Sequence, residues 1–452
     1  MKLSNIQRVY LVGIGGIGMS GLARYFAHLG HTVCGYDKTS TPLTTELSKE
    51  GIEIVFEDNS ALVPDEFHSP DEHTLIIWTP AIPKDSEILN FFIDKGFKLF
   101  KRSQVLGILS EGMYTIAVAG THGKTTTSCM VAHILKHSGK DCSAFLGGIA
   151  SNYNTNVLYG KNNIMVVEAD EYDRSFLTLH PDIAIVTSMD ADHLDIYGDH
   201  NHLNESFKLF VSQLKSNGNV IAKKGLDISS TLKYSIKEQA DVYAENIRIE
   251  NGEFYFDFKN NSGVVINDIH LGIPGIHNVE NAVAAIQAAL LVDVEPEKIK
   301  AALTAFSGVK RRFEYLVKTP EHIYIDDYAH HPEELRAAIS SVKRIYPDKK
   351  LTAIFQPHLF TRTRDFADGF AEVLSMVDEL ILLEIYPARE LPITGVTSQM
   401  LLDKITLADK KILSKAETLA HIQAEMPGLV LTVGAGDIDQ LVQPLKQILG
   451  DV

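Results

Sequence analysis

An apolar stretch at residues 115–119 runs straight into Gly120-Thr121-His122-Gly123-Lys124-Thr125-Thr126, and a helix-like stretch continues from 125 to 137. Strand, glycine-rich loop, then helix is the feature that most limits what this chain can become. Glycines let backbone N–H groups turn toward a phosphate, and the helix N-terminus adds the positive end of its dipole. Lys124 supplies a point charge and the Thr125 hydroxyl a ligand for Mg2+. An ordinary tight turn can carry the same residues, and Val118 stands where the first glycine of the standard spacing belongs. The strand before and the helix after favour a nucleotide loop, which sets the fold class as α/β.

The rest of the chain keeps that rhythm. Strands are predicted at 9–12, 32–36 and 75–78, with a helix over 18–29 and a loop holding Pro80 and Pro83. This βαβ pattern implies a parallel sheet and runs to about residue 109. A second α/β unit spans 110–311, with buried strands at 115–119, 164–167 and 183–187. Residues 242–273 alternate apolar and polar around Asn-Gly and Asn-Ser-Gly turns, which predicts antiparallel hairpins before a helix beginning near Asn278. A third unit spans 312–452, with strands at 323–325, 351–355, 380–383 and 429–433 and a helix over 333–345; the last strand leads into Gly434-Ala435-Gly436. At 452 residues the chain exceeds one ordinary core, so three compact domains, 1–109, 110–311 and 312–452, fit best.

Composition narrows the partners. A net charge of −16 argues against nucleic acid, which needs a basic face. No window is apolar enough to span a membrane, and the N-terminal residues carry no long apolar region, so a cytoplasmic protein, monomeric or homodimeric, is expected. Cys34, Cys129 and Cys142 match no metal or disulfide spacing and read as small buried hydrophobes.

Two more strand ends carry chemistry. Glu168-Ala169-Asp170-Glu171 follows the apolar run at 164–167, which places Glu168 at the carboxyl edge of a parallel sheet as a candidate Mg2+ ligand. A solvated charge run is the competing reading, and it fits Glu171 better than Glu168. Asp190-Ala191-Asp192-His193-Leu194-Asp195 follows another strand. A neutral imidazole at His193 suits a second metal, although taken alone it is an ordinary loop histidine. At the N-terminus, Gly13-x-Gly15-x-x-Gly18 opens a helix, with Asp37 nineteen residues further on. In form this is the dinucleotide fingerprint, so a nicotinamide-linked oxidoreductase stays open at this point, as does a non-catalytic nucleotide-binding module.

Taken together the motifs resemble those of the Mur ligases, the ATP-dependent amide ligases of peptidoglycan synthesis. The resemblance covers essentially the whole chain. It is carried by Gly-Thr-His-Gly-Lys-Thr at 120–125, Glu-Ala-Asp-Glu at 168–171, Asp-His at 192–193, His-Asn-Val-Glu-Asn-Ala at 277–282, Gly-Val-Lys-Arg-Arg-Phe at 308–313 and Asp-Asp-Tyr-Ala-His-His-Pro at 326–332. Within the family, Gly13 to Ala23, Asp190 to Asp195, Phe-Gln-Pro-His at 355–358, Thr-Arg-Thr-Arg-Asp at 361–365 and Tyr-Pro-Ala-Arg-Glu at 386–390 are similar to the members that join L-alanine to UDP-N-acetylmuramate. The alternative is the recycling branch, which joins a tripeptide to the same nucleotide sugar. Some members carry Arg directly after Gln-Pro-His, where this chain has Leu359. Tyr172 stands where many alanine-adding members have Ser.

The resemblance implies a Rossmann-like UDP-binding first domain, a P-loop ATPase-like central domain with a mixed sheet, and a Rossmann-like third domain. It implies ATP as co-substrate, Mg2+ or Mn2+ as cofactor, and an acyl-phosphate intermediate. Lys124, Glu168 and His193 are then the catalytic candidates, with Thr125, Glu168 and His193 toward metal. Gly120, Thr121, His122, Gly123, Lys124, Thr125, Thr126, Asn278, Asn281, Arg311 and Arg312 fall on the ATP side. Gly13, Gly15, Gly16, Ile17, Gly18, Met19, Asp37, Thr79, Ala81 and Ile82 fall on the UDP-sugar side. Asp327, Tyr328, His330, His331, His358 and Arg362 fall on the amino-acid side. Several members carry a carbamylated lysine downstream of Asp-His. Lys208, fifteen residues after His193, is the position to examine, against the simpler reading of a solvated helix lysine.

Overall fold

The computed structural model describes residues 3–190, 200–250, 252–388 and 390–450. The chain gathers into two compact units. One holds Met1–Glu245, Asp257–Ile269 and Glu280–Phe306; the other holds Asn246–Phe256, His270–Val279 and Ser307–Val452.

The first unit opens with a five-stranded, all-parallel sheet in the order Glu53–Val55, Thr32–Tyr36, Arg8–Val12, Thr74–Trp78, Leu99–Lys101. Arg8–Val12 is buried at every residue after Arg8, as an apolar run on a central parallel strand must be. Chain order reverses at this strand, because the second strand lies on one side of it and the fourth on the other. The turns after Val12 and Trp78 therefore open side by side at the carboxyl edge, where sheets of this kind collect ligands.

A second sheet has the order Val265–Leu271, Glu253–Asn260, Val242–Glu250, Leu232–Ser235, Asn219–Lys223, Ile183–Val186, Tyr114–Ala119, Ile164–Glu168, Ser143–Ala150, Thr155–Leu158. It is mixed: Thr155–Leu158 runs antiparallel to its neighbour, while Ile183–Val186, Tyr114–Ala119 and Ile164–Glu168 are adjacent and parallel. That adjacency brings three strand-end motifs to one edge. The helix Lys124–His137 that follows the phosphate loop is buried at every residue from Thr125 to Leu135. A helix enclosed on all sides carries little amphipathic signal.

Within the first unit, the helix Ile17–His28 ties the five-stranded sheet to the strand Thr155–Leu158 of the ten-stranded one. Arg24, only 6% exposed, pairs with Glu50 at 2.7 Å and donates to Asn156 Oδ1 at 2.8 Å. Asn156 in turn donates to the Ile17 carbonyl and to Ser20 Oγ. His28 stacks on Tyr159 with ring centroids 3.9 Å apart. The helix Arg102–Gly112 runs through the break expected after residue 109. Cys34, Cys129 and Cys142 are buried in the core, and burial pushes the thiols of Cys34 and Cys142 up to about 12.

The second unit is built on a six-stranded sheet in the order Glu314–Lys318, Ile323–Asp327, Leu429–Val433, Thr352–Phe355, Glu379–Leu382, Lys410–Ile412. Only the edge strand Glu314–Lys318 is antiparallel. The helix Pro332–Ile345 starts where His331 and Glu334 form a reciprocal cap with Pro at the first position. Among the described residues no helix is long and apolar enough to cross a membrane.

Candidate functional site

Four residues turn the chain from the strand Tyr114–Ala119 into the helix Lys124–His137. Gly120 has φ +136°, and a Cβ there would stand 2.1 Å from Thr187 Oγ1, so no side chain fits. Gly123 is left-handed and caps the helix. The segment after the strand Ile183–Val186 braces the loop. Thr187 Oγ1 donates to the His122 carbonyl at 2.5 Å, the His122 N–H donates to Ser188 Oγ at 2.7 Å, and the Thr121 and Ser188 hydroxyls meet at 2.9 Å. Sequence reasoning gave Thr187 and Ser188 no role. Their signal was a pair of hydroxyls directly after a buried strand. Thr125 and Thr126 are buried, and among the described residues the Thr125 hydroxyl makes no hydrogen bond.

Lys124 is not extended toward solvent. Its ammonium donates to the Gly120 carbonyl at 2.7 Å and lies 2.9 and 2.8 Å from the two oxygens of Glu171. Glu171 is fully buried, so the reading of this residue as part of a solvated charge run is overturned. A carboxylate removed from water needs a cation, and Lys124, 13% exposed, is that cation. Burial pulls the Lys124 pKa down. Glu171 first, then Asp170 and Glu168, outweigh it and hold the value above the ordinary lysine range.

Glu168 ends its strand as expected and accepts from the Gly147 N–H at 3.1 Å. Its neighbour on that side comes from Ser143–Ala150, a strand the sequence reading passed over. His193, together with Asp192 and Asp195, lies outside the described residues. Lys208 sits on the helix His200–Ser212 with a 40% exposed side chain, 3.3 Å from Glu205 and 3.0 Å from Asp227, in the manner of a solvated helix lysine.

The N-terminal candidates converge. Gly13, Gly16, Ile17, Gly18, Met19, Asp37, Thr79, Ala81 and Ile82 line one cavity of about 870 Å³, which continues past Asn156 to Glu168 and Asp170. Gly15 supports it from behind. Its N–H donates to Asp37 Oδ2 at 2.8 Å, and the Thr39 N–H takes Oδ1 at 3.1 Å. Arg102, which the sequence reading did not select, also lines the cavity.

Asn281 lies against the phosphate loop, its Oδ1 2.7 Å from where a Cβ on Gly123 would stand. Asn278, in the same helix Ile276–Leu290, is buried and donates to the Pro274 carbonyl at 2.6 Å.

In the second unit the two arginines divide their work. Arg311, at φ +61°, pairs with the buried Asp326 at 3.0 Å and donates to the Gly434 carbonyl at 2.8 Å. Arg312 lies over the Tyr328 ring, 5.3 Å from its centroid. Asp327 is a staple, accepting from the Ala329 and Phe313 N–H groups, both at 2.7 Å. Burial pushes its pKa up to about 6, against the opposing pull of Arg312 and those two donors. His330 Nδ1 lies 2.9 Å from the Tyr328 carbonyl and 3.3 Å from Glu334. Burial lowers its pKa, with Glu334 opposing. Its ring meets His358 at 6.1 Å, and His358 stacks on Tyr386 at 5.8 Å. His331 is a helix cap packed on Phe366.

Arg362 is carried by the short helix Phe360–Asp365, whose first residue follows Leu359 in a left-handed conformation, φ +72°. Glu390 fixes that helix by accepting from the Thr361 N–H at 3.0 Å and from its hydroxyl. Gln356 explains the Phe-Gln-Pro-His segment: its amide donates to Asp437 and accepts from the Ile438 N–H, both at 2.8 Å, bracing the Gly434–Gly436 turn. Arg389 lies outside the described residues.

Comparison with known proteins covers all three parts of the chain. Residues 8–114 match the Mur ligase family catalytic domain, 118–289 the Mur ligase middle domain, and 311–436 the Mur ligase glutamate ligase domain. The chain is 49% identical over 451 residues to a UDP-N-acetylmuramate–L-alanine ligase of Flavobacterium johnsoniae, covering 100% of both. It is 50% identical over 457 residues to one of Parabacteroides distasonis, covering 99% of this chain and 98% of the relative. Among solved structures, a UDP-N-acetylmuramate–alanine ligase of Thermotoga maritima superposes with a TM-score of 0.83 at 27% identity, covering 98% and 99% of the two chains. A murein peptide ligase of Psychrobacter arcticus gives 0.68 at 26% identity, covering 99% of each.

Proposed function

The chain belongs to the Mur ligase family, and on that premise we propose that it is the ATP-dependent ligase joining L-alanine to UDP-N-acetylmuramate in peptidoglycan synthesis. One observation supports this reading above the others. A single cavity runs from the Gly13–Gly18 loop to Glu168 and Asp170. A nucleotide sugar held by its diphosphate at the loop directs its far end toward the carboxylates that surround Lys124.

The reaction has two steps. A muramoyl carboxylate oxygen attacks the γ-phosphorus of ATP, the bond to the bridging oxygen breaks, and ADP leaves an acyl phosphate. The deprotonated amine of L-alanine then attacks the acyl carbon, phosphate departs, and the amide forms. Catalysis of such transfers is chiefly charge neutralisation and alignment. Lys124 exchanges Glu171 for the β- and γ-phosphate oxygens and then for the acyl phosphate. The oxygen donors Thr125, whose hydroxyl makes no hydrogen bond among the described residues, and Glu168, at the strand end, suit a hard divalent cation, Mg2+ or Mn2+. His193 would serve a second. Such a cation supplies charge neutralisation on the triphosphate.

Asn281 and Asn278 belong to the nucleotide side. Arg312 is the stronger candidate for ATP, because Arg311 is committed to Asp326 and Gly434. Arg362 takes the carboxylate of L-alanine, with His330, His331, His358, Asp327 and Tyr328 shaping that side. We assign the spans 1–109, 110–311 and 312–452 to UDP-sugar, ATP and amino-acid binding, and the reaction to the cytoplasm. The test is phosphate release from ATP with UDP-N-acetylmuramate and L-alanine, omitting each in turn. The expected result is one ADP and one phosphate per amide, with all three substrates required. Release that proceeds without L-alanine, or only with a tripeptide, overturns the reading.

A further inference from the structure

The cavity poses an electrostatic problem. Asp37, Glu57, Asp58, Asp85, Glu168 and Asp170 line it, against Lys38 and Arg102 as its basic side chains. A nucleotide diphosphate brings further negative charge into that space. The N–H groups at the start of the helix Ile17–His28 offset part of it. Arg102 lies across the same turn: a Cβ on Gly18 would stand 2.8 Å from Arg102 Nη1 and 3.0 Å from its Cδ and Cζ. Glycine at position 18 is thus what lets the guanidinium reach the glycine loop.

Two observations mark this arginine as waiting for an anion. Among the described residues its side chain takes part in no hydrogen bond or ion pair, although Glu168 and Asp170 line the same cavity. It also occupies the first position of the helix Arg102–Gly112, whose first turn has no acidic residue. A cation there opposes the helix dipole. Among the described residues no hydrogen bond or ion pair offsets that cost, and a local rule broken without such compensation marks a residue retained for a ligand.

We propose that Arg102 is a substrate-binding residue that clamps the diphosphate of the nucleotide sugar against the Gly16–Gly18 turn. This rests on the ligase reading above. A guanidinium fork matches phosphate oxygens, and the charge-assisted bonds account for affinity that backbone N–H groups alone do not give.

Titration of the full chain with uridine, UDP, UDP-N-acetylglucosamine, UDP-N-acetylmuramate and ATP tests it. Arg102→Ala weakens all three UDP ligands by about 10- to 100-fold and leaves uridine and ATP unchanged. Arg102→Lys recovers part of the loss. Unchanged ATP affinity shows that the variant is folded. Equal binding of UDP by wild type and Arg102→Ala overturns the assignment. So does a loss confined to UDP-N-acetylmuramate, which would place the arginine on the muramoyl carboxylate. Wild-type protein that binds none of the UDP ligands removes the ligase reading itself.

Discussion

The ion pair between Lys124 and Glu171 separates catalysis from stability in a way a double-mutant cycle can measure. Glu171 is 0% exposed and Lys124 13%, with 2.8 Å between their charged atoms. Removing one partner of a buried pair costs about 3–5 kcal/mol, because the other is left as an uncompensated charge. In Glu171→Gln, the ammonium keeps the Gly120 carbonyl at 2.7 Å and the Thr121 carbonyl at 3.4 Å, so the cost falls at the low end, about 3 kcal/mol. In Lys124→Ala, the orphan is a carboxylate in the core, and the cost is at least as large.

The double variant holds no orphan charge and returns close to wild-type stability, so the coupling is the sum of the two single losses, about 6 kcal/mol or more. Turnover behaves differently: both variants lacking Lys124 are inactive, because the ammonium that neutralises the transferring phosphate is gone. Urea denaturation followed by fluorescence reads the first quantity and phosphate release the second. Stability losses that simply add in the double variant, or a Glu171→Gln protein as stable as wild type, refute the argument.

The phosphate loop was legible in the sequence because its chemistry is local: strand, loop and helix follow one another within residues 114–137. The same holds for the Gly13–Gly18 loop and for strands such as Thr32–Tyr36 and Leu429–Val433, whose apolar runs are buried on both faces. What was hidden depends on partners far along the chain. Glu171 looks solvated among Asp170 and Tyr172, and only the pairing of Ile164–Glu168 with Tyr114–Ala119 brings it to Lys124. Arg102 is separated from Gly18 by four strands of the N-terminal sheet, and no periodicity reports that they meet. Ser143–Ala150 ends in Gly-Gly-Ile-Ala and Thr155–Leu158 is four residues long, so neither offers enough pattern to read as a strand. Asp327 and His331 carry motif residues whose side chains serve the backbone, stapling Phe313 and capping a helix. A motif thus marks a place that matters without saying whether a side chain meets the ligand or holds the loop that does.

Three further outcomes are expected. Arg362→Ala raises the Michaelis constant for L-alanine far more than that for ATP in steady-state assays, since a guanidinium fork suits a carboxylate; equal effects on both would count against it. Isothermal titration finds UDP-N-acetylmuramate and UDP binding tightly and NAD weakly, and a bulky residue at Gly15, whose Cβ would stand 2.8 Å from Asp37 Oδ2, abolishes the UDP binding; NAD binding as tight as UDP would revive a dehydrogenase. The third concerns acid. His133, 3% exposed, lies within the helix that follows the phosphate loop, 3.0 Å from both the Tyr153 hydroxyl and the Ala302 carbonyl. Burial pulls its pKa down to about 4, with the Ala302 carbonyl opposing. The unfolded chain holds a proton on this ring below about pH 6.5 that the native protein refuses until about pH 4, so stability falls as pH falls through that window. Between pH 7 and 5 the loss from this one group is about 2 kcal/mol. His277, whose pKa burial lowers to about 4 as well, adds a loss of the same sign. Urea denaturation at the two pH values should show His133→Gln losing about 2 kcal/mol less than wild type, and equal losses in the two proteins would mean that the ring is already protonated in the native fold.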